Sequence, residues 1–101
     1  NPIATAKKPA RAANQEYIVL ENRGPTEVNL DGYYLAYRGA SYPFLVDSRI
    51  SPGRKLTVFI GKGQPTRRTQ YWGRQSPLLQ NKSGTVELLS ERNVVISRKT
   101  W

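Results

Sequence analysis

Three segments decide the fold: EYIVLENRG at 16–24, LDGYYLAYRG at 30–39 and SPGRKLTVFIGKG at 51–63. Each is a short run of β-branched and aromatic residues closed within a few positions by Gly, the pattern of a small all-β domain. In the first, Ile18 and Leu20 point to one face and Tyr17, Val19 and Glu21 to the other, so Ile18 and Leu20 are expected in the core. Asn22-Arg23-Gly24-Pro25 supplies turn chemistry, because Asn and Gly tolerate positive φ and Pro fixes the bend. A short strand around Val28 and Leu30 follows, then the Asp31-Gly32 turn. Tyr33, Leu35 and Tyr37 share the next face, which Arg38-Gly39 closes. Pro43 makes Tyr42 to Val46 a weaker, edge-like strand. After Ser51-Pro52-Gly53, Leu56, Val58 and Ile60 alternate against Thr57 and Phe59, as in a central strand.

Outward from these runs the pattern changes. Residues 1–15, NPIATAKKPARAANQ, hold Ile3 as their one large apolar side chain. Such a segment buries too little surface to offset its ordering entropy and is expected to be a flexible basic linker or arm, with the domain at 16–101. From Gly61 to Lys82 the alternation fails, and only Tyr71-Trp72 and Leu78-Leu79 look anchored, so a long loop is expected. Val86 to Leu89 and Val94 to Ile96, joined by Glu91-Arg92-Asn93, read as a C-terminal hairpin. No segment carries helical periodicity with caps, and nothing repeats.

The 101 residues suffice for one domain. There is no Cys, so apolar packing without disulfides or thiolate metal sites must hold the core. No apolar run approaches the roughly 20 residues that span a bilayer. With no Met, the chain is expected to be a processed product or part of a longer protein.

The ordered motifs resemble those of the lamin-tail domain: Glu16 to Gly24, Leu30-Asp31-Gly32-Tyr33, Ser51-Pro52-Gly53, and Leu79 through Leu88. The resemblance covers residues 16–101. It implies an all-β, immunoglobulin-like antiparallel β-sandwich of the kind found at the tail of nuclear lamins and in many bacterial surface or secreted proteins. Two departures stand out. Tyr33 occupies a position where the family commonly has Trp, and residues 1–15 offer nothing of the long heptad coiled coil that a lamin places before its tail. The compact spacing is closer to the bacterial members, in which the domain is commonly an accessory module beside a catalytic or anchoring part. That resemblance implies the cell exterior or envelope, whereas a lamin would be nuclear. It carries over no catalytic residues.

The chemistry open to the chain is narrow. Without His or Cys, the usual general base, the thiol nucleophile and nearly all zinc sites are missing. Ser51 and Ser83 stand in predicted turns, where Ser favours local backbone bonds over nucleophilic work. Glu16, Glu21, Asp31, Asp47 and Glu87 read as scattered surface acids rather than a catalytic pair or calcium cage. Gly61-Lys62-Gly63 lacks the spacing and following helix of a phosphate-binding loop. No enzyme, cofactor, metal or small-molecule substrate is expected.

Charge points to partners. The formal net charge is +9, and no acid lies between Asp47 and Glu87, where eight cations from Arg49 to Lys82 cluster. Arg54, Lys55, Lys62, Arg67, Arg68 and Arg74, with the rings of Tyr71 and Trp72 among them, form the candidate nucleic-acid-binding set. Six phosphate contacts would make affinity fall about 10³-fold between 50 and 200 mM salt. The competing reading makes Trp72 a cap on the open end of the sandwich and the cations a solubilising surface. Lys7, Lys8 and Arg11 could add to polyanion or anionic-lipid binding. The leading expectation is a non-catalytic interaction or targeting module of a larger protein, monomeric in isolation, with a protein partner that meets exposed edge strands and the 61–82 loop. Its rivals are sequence-independent nucleic-acid binding, a small hydrolase and a purely structural spacer.

Overall fold

Alternating apolar side chains build two four-stranded sheets whose inner faces share one core. The computed structural model describes residues 3–101. One sheet, here sheet A, has the order β1 (Ile3–Lys8), β2 (Tyr17–Asn22), β7 (Lys55–Phe59) and β8 (Thr69–Tyr71). The other, sheet C, runs β10 (Val95–Thr100), β9 (Thr85–Leu89), β4 (Tyr34–Tyr37) and β5 (Ala40–Pro43). A small pair, β3 (Val28–Asn29) with β6 (Arg49–Ile50), bridges the linking segments. The fold is the expected all-β, immunoglobulin-like sandwich.

The expected core residues are where alternation puts them. Ile18, Leu20, Leu35, Tyr37, Leu56, Val58 and Ile60 are buried, and Leu30, Leu79, Val86 and Leu88 join them. Tyr33, in place of the family's Trp, is half-buried at the margin of this cluster. Arg38 and Gly39 both take positive φ, 47° and 83°. They form the two-residue turn that pairs Tyr37 with Ala40 and fixes the β4–β5 register. The β9–β10 hairpin also forms, with a bulge between Val95 and Ser97.

Three expectations change. Residues 1–15 were expected as a flexible arm; Asn1 and Pro2 lie outside the described residues, but Ile3–Lys8 is a full edge strand paired along its length with β2. Its single large apolar side chain suffices because Ile3 is buried at 5% exposure while the backbone ladder to β2 satisfies the rest. Two contacts reach across to sheet C: Thr5 Oγ1 donates to Ser97 Oγ at 2.7 Å, and Lys7 Nζ lies 3.7 Å above the Trp101 ring.

The expected 61–82 loop contains β8, which pairs parallel with β7 and makes sheet A mixed rather than wholly antiparallel. Its inward position is Gln70, which hides the apolar alternation yet is only 3% exposed. Burial is tolerated because Gln70 Oε1 accepts from the Tyr42 hydroxyl at 2.6 Å and from Leu45 N–H at 3.2 Å, while Nε2 donates to Ser48 Oγ at 2.5 Å.

Glu16, read as a surface acid, is fully buried. Its Oε1 accepts the backbone N–H groups of Leu78 and Leu79, the latter at 2.9 Å, and Oε2 accepts Ala10 N–H at 3.3 Å. One carboxylate thereby joins the β1–β2 connection to the segment before β9. Beside it, Gly61 N–H donates to Ala13 O at 2.8 Å, so close an approach that a Cβ on Gly61 would stand 2.7 Å from Asn14 N. Glycine is required there by backbone contact.

Candidate functional site

The strand register divides the candidate cations into two groups. Arg54 and Lys55 precede and open β7, and Arg67 and Arg68 lead into β8. Because β7 and β8 run parallel, all four lie at the same end of sheet A. With Arg49, Glu27 and Asp47 they line a shallow depression of about 540 Å3. Arg49 pairs with Glu27 at 3.3 Å. Among the described residues the other ion pairs are Arg23–Glu21 and Arg98–Glu87, so Arg54, Lys55, Arg67 and Arg68 have no carboxylate within pairing distance. Four unpaired cations repel one another, a repulsion that an anionic partner would relieve.

Lys62 and Arg74 lie at the opposite end of β7. They share a second depression, of about 470 Å3, with Arg11 from the β1–β2 connection. Arg11, expected on a flexible arm, thus lies beside the cations that follow β7. Backbone bonds position the group: Arg74 N–H donates to Ile60 O at 2.8 Å and Gly73 N–H to Gly61 O at 3.0 Å.

The rings of the candidate set are already engaged within the domain. Tyr71 and Phe59 stack at 5.5 Å with 17° between planes, and Phe59 meets Tyr17 edge-on at 5.3 Å. Gly63 packs so closely against Tyr71 that a Cβ there would collide with the ring. Trp72 follows Gln70 onto the inward side, is half-buried, and packs 5.8 Å from Tyr42. Both rings are thus partly buried and held against other rings of the domain. Burial pushes the Tyr42 hydroxyl above its ordinary value of 10.0.

The outer face of sheet C carries a row that the sequence pattern did not reveal. Register places Pro43, Tyr34, Leu89 and Val95 side by side across all four strands. Val94, 55% exposed, adjoins that row, and Leu45 and Val46 follow β5 with 47% and 85% exposure. Among the described residues, no group of three or more acidic side chains is placed to hold a metal ion, and no helix is long and apolar enough to cross a membrane.

Two sheets with a shared core, shallow polar depressions and an apolar outer row define a sandwich built to present surfaces. The family whose profile matches is the Lamin Tail Domain, over residues 3–101, and the chain belongs to that family. The match includes β1, in agreement with its place in sheet A. No curated protein matches the chain. Among solved structures, the chain is similar to one from the archaellum periplasmic stator protein complex FlaF and FlaG from Sulfolobus acidocaldarius. That similarity has 13% identity and a TM-score of 0.49 and covers 100% of this chain and 89% of the other.

Proposed function

We propose that this chain is a non-catalytic module of a larger protein that binds a protein partner through the outer face of sheet C. The observation that carries this reading is the apolar row Pro43–Tyr34–Leu89–Val95, continued by exposed Val94. A solvent-facing sheet surface is ordinarily polar, and an apolar strip across four strands is the composition of an interface centre. The resemblance to compact bacterial members favours the cell exterior or envelope as the place where it acts. The test is a photo-reactive side chain at Val94 in the protein as its own cells make it, compared with one at Thr57 on the outer face of sheet A. Discrete protein adducts should form from position 94 and not from 57. Equal adducts from both positions, or none from 94, would end this reading.

A second reading, sequence-independent polyanion binding, is favoured by the four unpaired cations Arg54, Lys55, Arg67 and Arg68. It proceeds by charge without base stacking, since Tyr71 and Trp72 are packed internally. Four phosphate contacts would make affinity for a labelled duplex fall about 150-fold between 50 and 200 mM salt. Fluorescence anisotropy over that range measures it, and no binding at the low-salt limit rejects it.

A further inference from the structure

The positive charge of this molecule is concentrated at one end of the sandwich, which the linear sequence does not show. The register rows identify that end. Lys8 pairs with Tyr17, Tyr17 with Phe59 and Phe59 with Tyr71. On this side of sheet A lie Lys8, Arg11, Lys62 and Arg74. Across the core, the same end of sheet C holds the Arg38-Gly39 turn and the close of β10.

Contacts tie the two sides together: Arg38 donates to Ser83 O at 3.0 Å, Trp101 N–H to Gly84 O at 2.9 Å, and Lys7 covers the Trp101 ring. Lys7, Arg38, Lys82 and Lys99 therefore complete the end. Its carboxylates among the described residues are Glu16, which is buried and committed to three backbone amides, and Glu87, which lies beside the Arg38-Gly39 turn and pairs with Arg98 at 3.5 Å. Five of the seven acids, Glu21, Glu27, Asp31, Asp47 and Glu91, lie at the opposite end. There they offset most of the local positive charge.

We propose that this cationic end adsorbs onto an anionic lipid bilayer surface. The cations are spread around the end of both sheets, an arrangement that meets a flat charged surface with all members at once. A narrow strand lying in the depression beside Lys62 and Arg74 would reach only a few of them. The rings at this end are stacked internally, Trp101 on Tyr37 at 5.4 Å with 17° between planes, which leaves no platform for bases.

The large exposed apolar side chains, Leu45, Val46 and Val94, are all at the other end. Contact with lipid would therefore be electrostatic, without insertion. A cluster of this size is in the range that holds a protein at acidic headgroups, each nearby cation strengthening attachment about fivefold. The apolar row of sheet C stays clear of the bilayer, so the inference is independent of the partner reading.

The test uses vesicles of phosphatidylcholine containing about one-third phosphatidylserine, with vesicles of phosphatidylcholine alone as the comparison. Sedimentation should show binding to the acidic vesicles only, lost as salt shortens the screening length below about 8 Å. The triple variant Arg11→Gln/Lys62→Gln/Arg74→Gln should weaken binding about 100-fold, following the fivefold contribution of each cation. Circular dichroism should show that the variant remains folded. A variant of equal net charge, Arg23→Gln/Arg49→Gln/Arg92→Gln, should stay within about threefold of the parent chain, because those positions lie at the opposite end, more than a screening length from the bilayer. Equal losses in both variants would reduce the effect to net charge and overturn the assignment. So would absence of binding to acidic vesicles at low salt. A DNA duplex that binds this end more tightly than the vesicles, and loses binding in the first variant, would replace lipid with nucleic acid.

Discussion

Replacing Glu16 tests how the N-terminal strand is held to the body of the sandwich. Its carboxylate accepts the N–H groups of Ala10, Leu78 and Leu79 inside the protein. Glu16→Ala strands three buried or half-buried donors and leaves a cavity. At about 1–3 kcal/mol for each unsatisfied group, partly relieved by entering water, the cost is about 3–6 kcal/mol. A domain of this length has about 5–15 kcal/mol in total, so the variant sits near the unfolding threshold at room temperature. Glu16→Gln separates the contributions. The amide oxygen can keep Leu78 and Leu79, but its NH2 then confronts the Ala10 N–H, a loss of about 1–3 kcal/mol. Urea unfolding followed by tryptophan fluorescence reads both, with Trp101 near the affected region. The midpoint should fall in the order parent, Gln, Ala, at an unchanged slope. A loss below about 1 kcal/mol for Glu16→Ala would show that water serves these amides equally well and would refute the argument.

Three other outcomes follow from the buried contacts. Ile3→Ala should cost about 2 kcal/mol in the same assay, because the side chain is buried; a neutral result would return β1 to the status of a loose arm. Asn22 donates through Nδ2 to Thr26 O and Ile50 O, each at 2.8 Å. Asn22→Asp places a carboxylate against those carbonyls and should destabilise by about 3 kcal/mol, measured by thermal denaturation at neutral pH. Burial raises the Tyr42 pKa, so above pH 10.0 the unfolded chain releases a proton that the folded chain keeps. Stability due to Tyr42 is complete below its ordinary pKa and declines as pH climbs toward the raised one. Tyr42→Phe should lessen that alkaline decline while costing about 1 kcal/mol for the lost bond to Gln70, as read by urea midpoints across alkaline pH.

The strands legible in the sequence are those whose inward positions are apolar. Ile18 and Leu20, Leu56 and Val58, and Val86 and Leu88 announce β2, β7 and β9 by alternation alone, and Arg38-Gly39 announces its turn by backbone preference. β1 and β8 are hidden for one shared reason: their inward positions include polar groups whose partners come from far along the chain. Gln70 is acceptable in the interior because Tyr42 and Ser48 complete its bonds. Thr5 and Lys7 are acceptable because Ser97 and Trp101 meet them. Composition counts each of these residues as polar and cannot know that its polarity is matched. The same blindness made Glu16 look like a surface acid.

Charge was legible in quantity but not in arrangement. The acid-free stretch from Arg49 to Lys82 looks like one basic surface, yet strand direction sends its members to two ends. Arg54, Lys55, Arg67 and Arg68 go where Glu27 and Asp47 already lie, whereas Lys62 and Arg74 go to a depression with no carboxylate in its lining. Between these groups β7 alone spans about 13 Å, about one and a half screening lengths at physiological salt. The ends can therefore act as separate electrostatic units. Arg11, Arg38 and Lys99, each remote in sequence, join the second group through tertiary contact. An anionic partner therefore responds to end-to-end polarity that the net charge of +9 conceals. Moving charge between ends at constant total should alter binding more than changing the total evenly.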